Sequence, residues 1–370
     1  MKSKKILFYA LLLAPGLALC SLLLATMLDL YAISAQDPAK MARELEAELA
    51  GKEPASFPLP DKLGELEKAK KTVFLFGESS LVLSDGGTFP EYLESEHPGI
   101  QTVNFGVSGI DSFSVRQRVT EALAAASPDL IVLYFGHNDY NNAYQGVIIP
   151  GHYERFDALL RIPFFLHDPE KPSGVLSSDT FYWYSRYQRP RLIQFFERLR
   201  LVHLDSAQFA PVNRLILAHY IRNTETILDL AAARKIPVVV LTPVGNLRAE
   251  PFGDLKATTA LYRRGMASAG SGESLQLLRR ARDAEIMTYD LRAKTPLLEY
   301  LRSLRRRQVY VLDLERRLEE RGFTFGYEDF LDYFHFNDRT HRLVADIIFN
   351  FLVDKRLIAP VAGRRHPGGS

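Results

Sequence analysis

Near the C-terminus, the run Asp332-Tyr-Phe-His335-Phe-Asn337-Asp-Arg-Thr-His341 sets a carboxylate three residues before an imidazole. A serine nucleophile needs such a pair, because the imidazole removes the hydroxyl proton while the carboxylate holds its tautomer and stabilises the imidazolium. Asn337 reads as a helix N-cap, since Leu343, Val344, Ile347, Ile348, Phe351 and Leu352 then fall on one helical stripe. His335 is therefore expected in the loop before a helix, where an imidazole can reach a cleft. Two other acid-x-x-His spacings compete. Glu94 with His97 precedes an extended segment, at the wrong end of the expected sheet. Asp338 with His341 falls in the first turns of the C-terminal helix, where His341 can simply be a packed helix residue, so His335 is the preferred base.

Three small polar clusters lie far upstream: Gly77-Glu78-Ser79-Ser80, Asn104-Phe-Gly106-Val-Ser-Gly109 and Gly136-His137-Asn138-Asp139. Glycine permits a tight turn, a serine at a helix start is exposed, and Asn138 offers amide donors. Taken singly, each cluster is explained as well by helix capping. Their placement says more, because each follows an apolar, β-rich run at residues 72–76, 102–105 and 130–135. Further runs occupy 236–241 and 308–312. Near-continuous apolar strands separated by helical patterns indicate a parallel sheet covered on both faces, and ligands bind such sheets beyond the carboxyl ends of the strands. The clusters sit at that edge.

These four clusters, in this order, resemble the SGNH (GDSL-like) hydrolase superfamily over residues 71 to about 355. Gly77-Glu78-Ser79 is similar to the G-D-S turn, with Glu in place of the usual Asp, a departure at a structural position. Gly109 stands for the second-block glycine, with Gly106 as an alternate. Gly136-His137-Asn138-Asp139 fits G-x-N-D, and Asp332 with His335 fits the final D-x-x-H. The resemblance implies that Ser79 attacks an ester carbonyl, with His335 as base and Asp332 orienting it. The Ser79 and Gly109 N–H groups and the Asn138 side chain would form the oxyanion hole; no cofactor or metal is implied. The expected fold is α/β, a three-layer αβα sandwich with a parallel, flavodoxin-like five-stranded sheet and a long helical insertion between strands 3 and 4. The match is closer to a bacterial, membrane-anchored subgroup, on Gly136-His137-Asn138-Asp139-Tyr140, Val240-Leu-Thr-Pro-Val-Gly-Asn246-Leu-Arg248 and Tyr289-Asp-Leu-Arg292-Ala293. Arg248 and Arg292 are candidates to bind an anionic substrate group, the alternative being pairing with surface carboxylates.

The remaining sequence frames this domain. Met1-Lys-Ser-Lys-Lys5 precedes an uncharged, mostly aliphatic run at 6–28, which at about 1.5 Å per residue can cross ~30 Å of hydrocarbon. The lysines before it and Asp29 after it predict a cytoplasmic N-terminus with the rest exported, so residues 1–35 read as a signal anchor in the cytoplasmic membrane. Cleavage near Ala35, or lipid attachment at Cys20, are the alternatives. Residues 36–70, rich in Ala, Glu, Lys and Pro, read as a stalk or loose helix, and 356–370 as a flexible tail. The insertion, about 140–233, carries an aromatic, arginine-rich stretch at 181–191 and a helical pattern at 212–233, and is read as an extra helical layer or a substrate lid. A charged helical region follows at about 274–307.

With Cys20 as the only cysteine, no intramolecular disulfide or cysteine-built zinc site is available, and a net charge of +2 argues against nucleic acid. G-x-S-x-G, H-E-x-x-H, P-loop and G-x-G-x-x-G motifs are absent. The expected activity is a serine esterase or deacylase acting on an acylated glycan or lipid outside the cytoplasm. An O-acyltransferase working with a membrane acyltransferase partner is the alternative. A non-catalytic glycan-binding protein is a third reading, disfavoured because all five candidate site residues are present.

Overall fold

The computed structural model describes residues 37–144 and 195–359, apart from 54, 202–204, 252, 270–271 and 287–291, together with residues 20, 23, 24 and 27. Strands β1 (Lys71–Gly77), β2 (Ile100–Asn104), β3 (Leu130–Tyr134), β4 (Val238–Leu241) and β5 (Val309–Leu312) form one parallel sheet in the order β2-β1-β3-β4-β5. This is the flavodoxin-like order. Alternation along each strand splits the apolar side chains between two cores. Phe74, Phe76, Val103, Ile131, Leu133, Val238 and Val240 face one cluster, and Val73, Leu75, Val132, Tyr134, Val239 and Leu241 the other.

Helices cover both faces. On the first lie α1 (Pro38–Ala50), α3 (Ser112–Ala125) and α5 (Ala210–Ala233), and on the second α2 (Phe89–Ser95) and α6 (Asp338–Asp354), with α4 (His137–Ala143) opening directly after β3. The three-layer αβα architecture expected from the strand pattern is the one observed. The helical pattern at 212–233 is α5, whose entry carries Pro211 in the first turn. The charged region at 274–307 is broken into helices Gly272–Asp283 and Thr295–Ser303, leaving Arg292 in the link between them.

Residues 37–70 do not stand away from the domain as a stalk. Asp37 caps α1 by accepting the Ala39 N–H at 2.9 Å. Met41 and Leu45, four residues apart and so on one helical face, are buried in the same core as the first sheet face. Phe57, Leu59, Leu63 and Leu66 pack partly buried against it. The segment has few large apolar residues, but their spacing is enough to dock it. Likewise the expected flexible tail begins with packed residues, since Ile358 is buried in the second core. Most of the anchor, residues 145–194 with the aromatic stretch, and 360–370 lie outside the described residues. Among the described residues no helix is long and apolar enough to cross a membrane.

Because Leu45 is fully buried, Leu45→Ala should lower the free energy of unfolding by about 2–5 kcal/mol, as core truncations do. Urea denaturation measures this. A change within about 0.5 kcal/mol, the size typical of surface substitutions, would mean that α1 is a loose stalk after all.

Candidate active site

β1 ends at Gly77, paired with Tyr134 of β3. A Cβ at Gly77 would lie 2.1 Å from the Tyr134 carbonyl oxygen, so only glycine allows the two strand ends to approach this closely. The chain then turns into a single 3₁₀ turn, Ser79–Leu81, in which the Ser79 carbonyl accepts the N–H groups of Val82 and Leu83 at 2.9 and 2.8 Å. Ser79 is thereby held at the carboxyl edge of the sheet, on a strand-to-turn junction.

The loop before α6 meets it there. Asp332 Oδ1 accepts the backbone N–H groups of Phe334 at 3.0 Å and His335 at 2.8 Å, a side-chain turn that fixes the carboxylate against its own loop. Its Oδ2 lies 2.6 Å from His335 Nδ1, and His335 Nε2 lies 2.7 Å from Ser79 Oγ. With Nδ1 donating to the carboxylate, Nε2 is left to accept the serine proton. Ser79, Asp332 and His335 are 5, 6 and 7% exposed, so their mutual hydrogen bonds are little diluted by water. The loop is closed by Leu331 N–H donating to the His335 carbonyl at 2.8 Å, and Asn337 caps α6 by accepting the Thr340 N–H at 3.0 Å.

The competing spacings have other work. His341 is fully buried, accepting the Phe89 N–H on Nδ1 at 3.1 Å and facing the Leu83 carbonyl with Nε2 at 3.2 Å. Burial pulls its pKa down to about 4. It pins α6 to the segments after Ser79 and is not placed to take the serine proton. His97 stacks on Phe349 with ring centroids 3.6 Å apart, while Glu94 accepts the N–H of Thr102 in β2 at 2.9 Å.

Glu78 joins the Ser79 turn to the turn after β3. Its Oε1 accepts the N–H groups of Gly136 and His137 at 2.6 and 2.7 Å, and Oε2 that of Asn138 at 2.8 Å. These are the free donors at the start of α4, where a carboxylate is favoured. Burial nevertheless outweighs them and pushes Glu78 up to about 7. Asn138 is consequently fixed beside the Gly109 loop, its Nδ2 donating to the Ile110 carbonyl at 3.1 Å and keeping a second proton for another acceptor.

Gly109 adopts φ +78°, a conformation that favours glycine. Among the described residues neither its N–H nor that of Ser79 meets an acceptor. The alternate, Gly106, donates its N–H to Asn104 Oδ1 at 2.9 Å and so has none to offer. Asp139 ties α4 to α3 by accepting from Ser112 N–H at 3.1 Å and from its hydroxyl.

Of the two arginines, Arg292 differs from the expectation. Arg292 is 1% exposed and locked in a buried ion pair with Glu285, so its guanidinium cannot reach a substrate anion, and its partner is a core carboxylate rather than a surface one. Arg248 is partly buried, its side chain running past Gly326, and among the described residues it has no ion-pair partner. His137, part of the block that resembles the bacterial subgroup, is also buried: its Nδ1 accepts the Ala293 N–H at 3.0 Å and its ring stacks on Phe334 at 4.5 Å. Burial holds it well below the usual histidine range. Its place between Gly136 and Asn138 gives no hint of this burial. Among the described residues no group of three or more His, Cys, Asp or Glu is placed to hold a metal ion.

Residues 73–162 match the family model described as GDSL-like Lipase/Acylhydrolase. The matched stretch contains Ser79, Gly109 and Asn138, and it is over this stretch that the chain is similar to GDSL-like lipases and acylhydrolases. Among solved structures it is similar to a member of the lipolytic G-D-S-L family from Veillonella parvula (14% identity, 76% of this chain and 97% of that one, TM-score 0.39). It is also similar to a lipase/acylhydrolase from Enterococcus faecalis (14% identity, 79% and 100%, TM-score 0.35) and to a GDSL-like lipase from Bacteroides thetaiotaomicron (14% identity, 85% and 98%, TM-score 0.37). These are distant likenesses. No curated protein matches the chain.

His341 and Glu78 give stability opposite pH slopes. A histidine whose folded pKa is about 4, against 6.5 unfolded, stabilises fully above 6.5 and loses that contribution as pH falls towards 4. Glu78, at about 7 against 4.5, stabilises below 4.5 and loses that contribution as pH rises towards 7. Comparing wild type with His341→Gln isolates the histidine: the wild-type advantage in urea unfolding should shrink by about 2 kcal/mol between pH 7 and pH 5. An advantage that does not change with pH would contradict the buried, neutral state of His341.

Proposed function

We propose that this chain is a serine esterase or deacylase of the membrane-anchored bacterial SGNH subgroup, acting on an acylated glycan or lipid outside the cytoplasm. The observation that carries the reading is the unbroken line Ser79 Oγ, His335 Nε2, His335 Nδ1, Asp332 Oδ2, with contacts of 2.7 and 2.6 Å. In this reading His335 takes the hydroxyl proton as Ser79 Oγ attacks the ester carbonyl, and the imidazolium is stabilised by Asp332. The carbonyl oxygen acquires charge and is met by the Ser79 and Gly109 N–H groups and the second amide proton of Asn138. His335 then returns the proton to the leaving alcohol, leaving an acyl group on Ser79. Water, activated by the same imidazole, releases it as a carboxylic acid. The export of the domain rests on the N-terminal lysines and the apolar run at 6–28, which would tether it to the cytoplasmic membrane.

Transfer of the acyl group to a sugar hydroxyl, in partnership with a membrane acyltransferase, would use the same residues. Only the acceptor differs. Arg248, which has no ion-pair partner among the described residues, is the remaining candidate for contact with an anionic part of the substrate.

Turnover of p-nitrophenyl acetate by the full chain tests the reading. Ser79→Ala and His335→Ala should each lower kcat by about 10⁴-fold or more, and Asn138→Ala by about 10² to 10³. A Ser79→Ala variant within tenfold of wild type would overturn it. Adding an oligosaccharide acceptor separates the two acyl fates: free acetate as the sole product indicates hydrolysis, whereas faster nitrophenol release with acetylated sugar indicates transfer.

A further inference from the structure

Behind the base loop lies the Arg292–Glu285 pair, whose side chains are 1% and 0% exposed. Arg292 Nε donates to Glu285 Oε2 at 3.1 Å and Nη2 to Oε1. Its remaining nitrogen, Nη1, donates to the carbonyls of Asn246 and, at 3.4 Å, Ala249. Asn246 in turn grips the base loop. Its Nδ2 donates to the Asp332 carbonyl at 2.9 Å and its N–H to the Tyr333 carbonyl at 2.8 Å. Its Oδ1 accepts the Arg248 and Ala249 N–H groups at 3.1 and 2.9 Å, which closes the loop after β4 into a rigid turn.

The neighbours of Arg292 add to this. Its guanidinium lies 5.4 Å from the centre of the Tyr333 ring. Ala293 donates to His137, which stacks on Phe334. Lys294 Nζ donates to the carbonyls of Asp283 and Glu285 at 3.0 and 2.6 Å, anchoring the far side. Arg292 and Ala293 thus reach Asp332, Tyr333 and Phe334, either directly or through one intervening residue.

We propose that Arg292, backed by Glu285 and acting through Asn246, is a positioning residue for the Asp332–His335 pair; this rests on the serine-esterase reading above. A buried ion pair adds little net stability over apolar residues of the same size. What the planar guanidinium supplies is geometry, since one fork fixes two carbonyl groups and a carboxylate at once. The Asp332 carboxylate and the Asp332 carbonyl belong to the same residue, so a shift of Asn246 moves the acid that orients the base. A displacement of about 1 Å at such a position costs about 10²-fold in rate.

The test uses p-nitrophenyl acetate kinetics of the full chain across pH, with urea unfolding of every variant. Arg292→Lys keeps the charge but loses the fork, and Asn246→Ala removes the link to Asp332 without touching the ion pair. Arg292→Gln combined with Glu285→Gln removes both members of the ion pair together, so neither is left buried without the other, and serves if Arg292→Lys does not fold. Each should lower kcat by about ten- to a hundredfold, keep KM within about threefold, and displace the acidic limb of the kcat profile. Arg292→Lys with Asn246→Ala should be no worse than the weaker single variant, because both act on one path. Folded variants with wild-type kcat and pH profile, or losses that multiply in the combination, would overturn the proposal. Ser79→Ala run alongside separates the claims: if it retains turnover, the esterase reading falls and this role with it. If it is inactive beside unaltered Arg292 and Asn246 variants, the positioning role alone falls.

Discussion

The hydrogen bond between Ser79 Oγ and His335 Nε2 joins segments 256 residues apart, and both partners sit on loops. Loops alone do not hold a contact of 2.7 Å. The structure fixes each end by a different device. Ser79 is set by the close approach of β1 and β3 at Gly77 and by Glu78, which binds the Ser79 turn to the start of α4. His335 is set by the turn that Asp332 makes with its own backbone and by the Asn337 cap of α6. The parallel sheet matters because it delivers every strand end to the same edge.

Acidic groups crowd that edge, with Glu78, Asp139 and Asp332 all buried. Each is met by donors: three backbone N–H groups for Glu78, Ser112 for Asp139, and two N–H groups plus the imidazole for Asp332. Satisfied networks of this kind make a site stiff, whereas one missing donor would leave a costly orphan. Three of the buried histidines stand at this edge and do different work. His335 faces the hydroxyl, His341 ties α6 to the turn after Ser79, and His137 presses on Phe334.

Much of the fold was legible because strands buried on both faces are apolar at nearly every position, so small polar clusters at their ends stand out. The choice of His335 over His341 followed from a helix N-cap at Asn337, a local signal. What was not legible depends on tertiary contact. Met41 and Leu45 look too sparse to dock a helix until the sheet face they meet is known. Arg292 reads as a surface or ligand-binding arginine because arginines are seldom buried, and only the structure pairs it with Glu285. Glu78 is a plain substitution in sequence; its reach to three N–H groups appears only once the turn after β3 lies against it.

The most direct measurement of the central claim is to treat the chain with a fluorophosphonate and locate the covalent adduct by mass spectrometry of its peptides. Ser79 Oγ lies 2.7 Å from His335 Nε2, and Ser80 is its fully buried neighbour. The account predicts a single adduct on Ser79 that disappears in His335→Ala. An adduct on another serine, or on Ser79 irrespective of His335, would contradict it.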